Sequence, residues 1–498
     1  MLIVLALAPI ALLLLLLLAL RWSAAASGFA SASVAFVVAF AAFGFGRADP
    51  VAKLLGPVAE AAFTAATILW IIFGALWLHE YQIRTGAIDQ IRASVRSISG
   101  DRQHIALLVA WFFALFLEGA AGFGTPVALA APLLVGLGFP PAKALVLVLI
   151  GHSVGVSFGA IGTPMAALLS AGDAALQTVP AAVALLHALL GWALVLVLAR
   201  FASEGDPLER PPQWRRPMLA AASFLLPFFL IAWAVGPELP TLLGALVGAG
   251  IFVALTRRFN ANETAQSTNR RQLLLALIPY LSVAALVLLT RLVPPVRALL
   301  QSESVEWSLF DRFNGSFAPF YHPGTLICAA LVATAIFFGR GKAASVSAAR
   351  AARRLPSVAL ALFSVLLLAR VSLHSGMVET IAAAAATGVG IHWAGIAPAI
   401  GALGSFVTGS ATASNLLFAD LQLSAAASAG ASPLLAATGQ GFGAAAGNMI
   451  APHNIVAGAA TVGLVGAEGR VIRQTIIPCL AYILAGGALL WLAGIWMT

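Results

Sequence analysis

Charge is scarce in this chain of 498 residues: 9% are Asp, Glu, Lys or Arg. A soluble domain carries about 25%, so a water-facing surface cannot be built from this composition. Cysteine is scarcer. Cys328 and Cys479 are the only two, and both lie in apolar surroundings, which excludes a disulfide framework and a Cys/His metal centre. No Gly-x4-Gly-Lys-Ser/Thr phosphate loop occurs, which argues against ATP-driven work. No long hydrophilic stretch interrupts the chain, so no separate soluble domain is expected, and no cofactor. The formal net charge of +9 does not point to nucleic acid. The basic residues sit between apolar runs, where the positive-inside rule places them.

Apolar residues make up 61% of the chain. In hydrocarbon every backbone N–H and C=O must be satisfied internally, which favours helices. The reading is an all-α polytopic membrane protein, multi-pass in the cell's inner membrane. Apolar runs predict about twelve crossings, near 2–20, 28–46, 57–78, 143–170, 179–200, 217–236, 239–256, 273–291, 323–339, 355–375, 434–462 and 475–496. The first run resembles a secretory signal, but its first positive charge, Arg21, follows the run instead of preceding it. It is therefore read as a retained helix.

Two further segments, about 105–139 and 395–426, are apolar but broken. The first carries Glu118-Gly119-Ala120-Ala121-Gly122-Phe123-Gly124-Thr125-Pro126. Non-helical backbone at membrane depth survives only where protein or a water-filled cavity surrounds it. Both segments are read as re-entrant hairpins. Counting neither as a crossing puts the basic loops 79–104 (Arg84, Arg92, Arg96, Arg102), 200–216 (Arg200, Arg210, Arg215, Arg216), 257–271 and 340–354 on one face, with most of the 27 Lys and Arg. That face is assigned as cytoplasmic. Both termini and the acidic loop 292–322 are then extracytoplasmic, and the hairpins open from opposite sides.

An internal echo supports an inverted repeat. Gly151-x3-Gly155-x3-Gly159-x4-Pro164 matches Gly439-x3-Gly443-x3-Gly447-x4-Pro452 at an offset of about 288 positions. Paired broken helices in two halves point to a secondary transporter with its site at the repeat interface. The chain divides into N-terminal helices at 1–56, a first repeat at 57–200, linking helices at 201–345 and a second repeat at 346–498. The glycine spacing has a plainer explanation too, since small residues let helices approach closely.

The candidate site residues cluster at the breaks. Thr408, Ser410, Thr412, Ser414 and Asn415 place four hydroxyls and an amide within eight residues of an apolar run. They either cap a broken helix or, with the free N–H groups of a helix start, bind a carboxylate. Glu118 is a proton carrier, since a carboxyl in low dielectric can load and release a proton, or a brace for the hairpin. Gly122, Gly124, Thr125 and Thr163 belong to the first hairpin and the first Pro break, and Asn448 to the second. His453 and His152 are read either as proton relays or as hydrogen-bonded structure, and His187 as structure. Arg370, the one basic residue deep in an apolar run, either meets an anionic substrate or pairs with Glu118 or Asp420.

At these positions the chain resembles the lactate permease family. The Glu118–Pro126 string is the strongest match. Ser375-Gly376-Met377, Gly404-Ser405-Phe406-Val407-Thr408-Gly409-Ser410, Ser414-Asn415, Gln422, Met449-Ile450-x-Pro452 and Ala460-Thr461-Val462-Gly463-Leu464-Val465-Gly466-x-Glu468-Gly469 follow in order. The resemblance implies a symporter of lactate or glycolate with protons, sodium not being excluded, in a class whose transport domain often moves against a homodimeric scaffold. It departs from the family pattern at Ala411 (Asp), Ala451 (Ser), His453 (Gln) and His152-Ser153 (Asn-Thr). A sodium-coupled or other organic-anion carrier and an anion channel remain open. An enzyme is not expected, although His453 with Ser410 or Ser414 would be a conceivable nucleophile pair.

Overall fold

The computed structural model describes residues 2–497 apart from 21, 48, 91–100, 123, 170–177, 205–213 and 260–269. Arg21, Arg92, Arg96 and Arg210 of the charge argument, and Phe123 of the hairpin string, lie outside the described residues. The helices in chain order are α1 Leu2–Leu14, α2 Ala24–Ala42, α3 Pro50–Arg84, α4 Arg102–Ala120, α5 Thr125–Gly136, α6 Pro141–His152 and α7 Gly159–Leu169. Next come α8 Val179–Ser203, α9 Arg215–Ala234, α10 Pro240–Phe259, α11 Arg270–Leu292, α12 Pro294–Gln301, α13 Pro323–Phe337 and α14 Gly341–His374. The chain ends with α15 Met377–Val389, α16 Trp393–Thr408, α17 Ala411–Ser428, α18 Pro433–Gly447, α19 Pro452–Val462 and α20 Glu468–Met497.

Many of these helices open on proline, at Pro50, Pro141, Pro323, Pro433 and Pro452 among others. The first turn has no acceptor for that N–H, so proline costs nothing there and pre-sets φ. Among the described residues nine helices are long and apolar enough to cross a membrane, or up to ten if the bent pair Leu274–Thr290 and Pro294–Gln301 is one span. The runs expected at 2–20, 239–256 and 323–339 form shorter apolar helices. The run 434–462 divides into α18 and α19. The first arms of the two hairpins, Arg102–Ala120 and Gly390–Thr408, also reach crossing length, so length alone does not separate a hairpin arm from a crossing.

Three expectations need correction. The chain is not wholly α-helical: β1 Val305–Leu309 and β2 Phe313–Phe317 pair antiparallel, with Trp307 opposite Gly315. Buried Phe313 packs onto Gly56 at the start of α3, and Trp307 meets the ring of Phe63 edge-on at 5.6 Å. The basic stretch 340–354 is no loop but the first turns of α14, where Arg354 lies 2.7 Å from Glu80 of α3. The segment 79–104 likewise begins inside α3, which runs to Arg84.

The same order of elements occurs twice: a hairpin (α4 and α5; α16 and α17), a broken helix (α6 and α7; α18 and α19), and a long helix (α8; α20). The glycine rows explain how each broken helix fits its hairpin. A Cβ on Gly151 would overlap the carbonyl of Ala110, and one on Gly159 would overlap the carboxyl of Glu118, both on α4. In the second set, Gly443 meets the carbonyl of Pro398 and Gly447 that of Ala402, both on α16. Between membrane helices the driving force is close packing, because lipid tails are as apolar as leucine. Glycine supplies that closeness in both halves.

Candidate functional site

Four interruptions converge on one cavity of about 480 Å³. The turn between α4 and α5 supplies Glu118, Gly122 and Gly124. Gly122 and Gly124 have φ of 58° and 77°, conformations that only glycine adopts without strain. The break at the start of α7 supplies Gly159, Ala160, Ile161, Thr163 and Pro164. Ala160 and Ile161 are themselves left-handed, at φ 45° and 54°. Side chains with a Cβ are strained there by about 1 kcal/mol or more each. The Thr163 hydroxyl steadies the turn by donating to the Ala160 carbonyl at 2.6 Å.

The turn between α16 and α17 contributes Thr408, Gly409, Ser410, Ala411 and Thr412, and the break between α18 and α19 contributes Asn448, His453 and Asn454. The four interruptions also hold one another. His453 packs its ring on the α-carbon of Gly409, and Asn454 hydrogen-bonds Asn448. Gly124 leaves room beside the Asn454 amide oxygen. Asn415 of α17 donates to the carbonyl of Pro164 at 2.7 Å, joining the second hairpin to the first broken helix.

Of the residues singled out in the sequence, Glu118, Gly122, Gly124, Thr163, Thr408, Ser410, Thr412, Asn448, His453 and Arg370 line this cavity. Ser414, Asn415, Thr125 and His152 are not among its lining residues. Ser414 donates to the Gly401 carbonyl at 2.8 Å and accepts from Gln440. The Asn415 oxygen accepts from Gln440 as well, at 3.2 Å. Thr125 is buried at the start of α5, and His152 donates through Nδ1 to the Val148 carbonyl at 2.7 Å.

Capping accounts for part of the hydroxyl cluster. Thr408 donates to the Gly404 carbonyl at 2.8 Å, and Ser410 caps α17 by accepting from the Ala413 N–H at 3.3 Å. The N–H groups of Ala411 and Thr412 sit in the first turn of an 18-residue helix, where no intrahelical acceptor exists. They face the region where the helix dipole is positive.

Glu118 is buried, 5% exposed, and among the described residues no ion pair or hydrogen bond reaches its carboxyl. Arg370 takes neither Glu118 nor Asp420 as its partner. Its guanidinium lies 3.6 Å from Glu60 of α3 and donates to the Thr64 hydroxyl at 3.3 Å. Sequence reasoning missed Glu60 and also Gln440, the hub of the amide network. Gln440 accepts from Gln422 at 2.9 Å and donates to both Ser414 and Asn415. His187 forms a buried chain: the Tyr482 hydroxyl donates to Nδ1 at 2.8 Å, and Nε2 donates to Ser157 at 2.9 Å. The Ser157 hydroxyl in turn donates to the Gly441 carbonyl, which fixes that direction. Among the described residues no cluster of His, Cys, Asp or Glu suits a metal ion.

Membrane-length helices around a polar cavity walled by helix breaks define a multi-pass membrane transporter. The family model described as L-lactate permease matches residues 2–319 and 313–495, and the chain belongs to that family. An L-lactate permease of Salmonella typhimurium is 32% identical over 492 residues, covering 90% of this chain and 88% of its own length. The glycolate permease GlcA of Escherichia coli K12 is 31% identical over 460 residues, 82% of this chain and 81% of its own. The crystal structure of the Alcanivorax borkumensis YdaH transporter aligns over 90% of this chain and 89% of its own at 17% identity. Its TM-score of 0.33 is too low to establish a common fold.

Proposed function

We propose that this protein is a secondary transporter that brings a small monocarboxylate, lactate or glycolate, into the cell across the cytoplasmic membrane together with a proton. The observation that carries this is the single cavity onto which both hairpin turns and both helix breaks open, with Glu118 and Arg370 on its wall. The relatives described as L-lactate and glycolate permeases support the cargo class.

In this reading the cargo carboxylate sits at the start of α17. The N–H groups of Ala411 and Thr412 and the positive end of the helix receive it, since an anion there replaces missing acceptors. The Arg370 guanidinium supplies a charged donor from the facing wall. Thr412, Asn448 and His453 contact the polar remainder of the cargo. Ala411 matters because the family pattern places an Asp there: in this chain the turn itself adds no negative charge beside the cargo. Glu118, at the first hairpin turn, then carries or gates the proton as the cavity turns from one side to the other. The broken helices, held by glycine contacts, rock as units around the site.

Labelled L-lactate and glycolate uptake into proteoliposomes, under an imposed pH or sodium gradient, tests the proposal. Accumulation driven by an inward proton gradient is the expected result. Failure to take up either acid under any gradient would overturn the reading. Accumulation driven by sodium alone would keep the carrier and remove the proton.

A further inference from the structure

Glu60 lies one turn before Thr64 on α3. Arg370 and Thr64 line the cavity, while Glu60 stands behind them, 6% exposed. It nevertheless holds the guanidinium, with Arg370 Nη1 3.6 Å from Glu60 Oε2. That same oxygen accepts from His374 Nε2 at 2.7 Å, one turn beyond Arg370 on α14. Its other oxygen accepts the backbone N–H of Asn314, on β2, at 3.3 Å. From the third side, Glu379 of α15 interacts electrostatically with His374, and its buried Oε2 has no partner. Phe313 meets the His374 ring edge-on at 4.7 Å. Among the described residues Arg370 and His374 are the only side chains paired with Glu60.

An arginine in a poorly solvated wall gives its full charge to one carboxylate at a time. A second carboxylate arriving from the cavity would share the guanidinium and repel the first. One added proton on Glu60 removes that competition. His374 supplies a route for it, because its side chain is 24% exposed against 8% for Glu60.

We infer that Glu60 is the resident carboxylate that the cargo displaces: Arg370 passes from Glu60 to the cargo carboxylate as Glu60 takes up one proton from water through His374. This makes Glu60 a positioning residue for coupling, and it rests on the reading of the cavity as a carboxylate site. No bond other than O–H on Glu60 forms, and the proton comes from the side that delivers the cargo. On the other side the cargo leaves, Arg370 returns to Glu60, and the proton is released.

The test is L-lactate binding to the purified full chain in detergent, by calorimetry in buffers of different ionisation enthalpy between about pH 5.5 and 8.5. Wild type is expected to take up about one proton per lactate, its affinity weakening by up to about tenfold per pH unit as the linked group titrates. Asp420→Asn, at an exposed carboxylate outside the cavity lining, keeps that proton count, whereas Glu60→Gln loses it and binds with little dependence on pH. A Glu60→Gln protein that still takes up the proton overturns the inference. Should Glu60→Gln not fold, wild type and Glu60→Asp decide: a shifted pH midpoint for the uptake in Glu60→Asp supports the inference, and an unshifted one, or no uptake in wild type, overturns it. Wild-type protein that binds neither lactate nor glycolate removes the carboxylate reading itself, and this inference with it.

Discussion

The ring of His453 rests on the bare α-carbon of Gly409, so a Cβ at that position would overlap the ring at Nδ1 and Cε1. Gly409 also holds φ at 80° to end α16. Two costs therefore fall on Gly409→Ala, a left-handed alanine and a displaced histidine, together about 1–3 kcal/mol. Gly376→Ala separates them, since Gly376 has nearly the same φ, 81°, and nothing within 4 Å of an added Cβ. The expected outcome is that Gly409→Ala lowers lactate uptake at least about tenfold, the factor that 1.4 kcal/mol carries, while Gly376→Ala changes uptake little. Equal losses in the two variants would place the effect in backbone strain instead of the His453 contact.

Glu118→Gln keeps the shape of the first hairpin and removes the titration. The carboxyl has no ion pair to lose among the described residues, so folding should be close to normal. Proteoliposomes should retain exchange of labelled against unlabelled lactate. Accumulation driven by a pH gradient should fall to the background of empty vesicles. Wild-type accumulation in this variant would remove Glu118 from coupling.

Asn415 and Gln440 belong to a buried amide network, and their removal should be felt in stability first. Leaving a buried amide unpaired costs about 1–3 kcal/mol. Asn415→Ala and Gln440→Ala should each lower the unfolding midpoint in detergent. The double variant should lose less than the sum, because the two share one hydrogen bond. A strict sum would argue against a network. A raised KM for lactate at unchanged stability would make Asn415 a cargo contact.

Close approach of α16 and α18 depends on Gly443, whose added Cβ would run into the backbone of Pro398. Backbone cannot swing aside as a long side chain does, so Gly443→Ala should cost about 1–3 kcal/mol. Gly250→Ala, on α10, is the control, with nothing within 4 Å; alanine there should be neutral or gain up to about 1 kcal/mol. Thermal unfolding of the two purified variants checks the contrast. A destabilised Gly250→Ala with an intact Gly443→Ala would contradict it.

The interruptions were legible because their causes are local. Glycine, proline and hydroxyls inside an apolar run say where a membrane helix ends, whatever surrounds it. Six residues singled out on that basis, Gly122, Gly124, Thr163, Thr408, Ser410 and Thr412, line the cavity. The β-hairpin was legible too, in the alternation of Val305 to Leu309 and Phe313 to Phe317 across a three-residue gap, but an apolar composition drew attention to helices. Ser414 and Asn415 could not be told from Thr412 by type. One face of α17 meets Gly401, Gln440 and Pro164, and only packing decides which hydroxyl is already engaged.

Composition alone determined that this chain lives in a bilayer, because its few charges cannot clothe a soluble surface. Local sequence determined where its helices must break, since φ and hydrogen-bond capacity belong to each residue. Pairing across hundreds of positions belonged to the tertiary structure. Glu60 reads as an ordinary carboxylate near a helix start, and Arg370 as a lone cation. Helix rotation and the crossing of α3 with α14 bring them within 3.6 Å. A charge in low dielectric takes whichever partner packing delivers, and no local pattern encodes that choice.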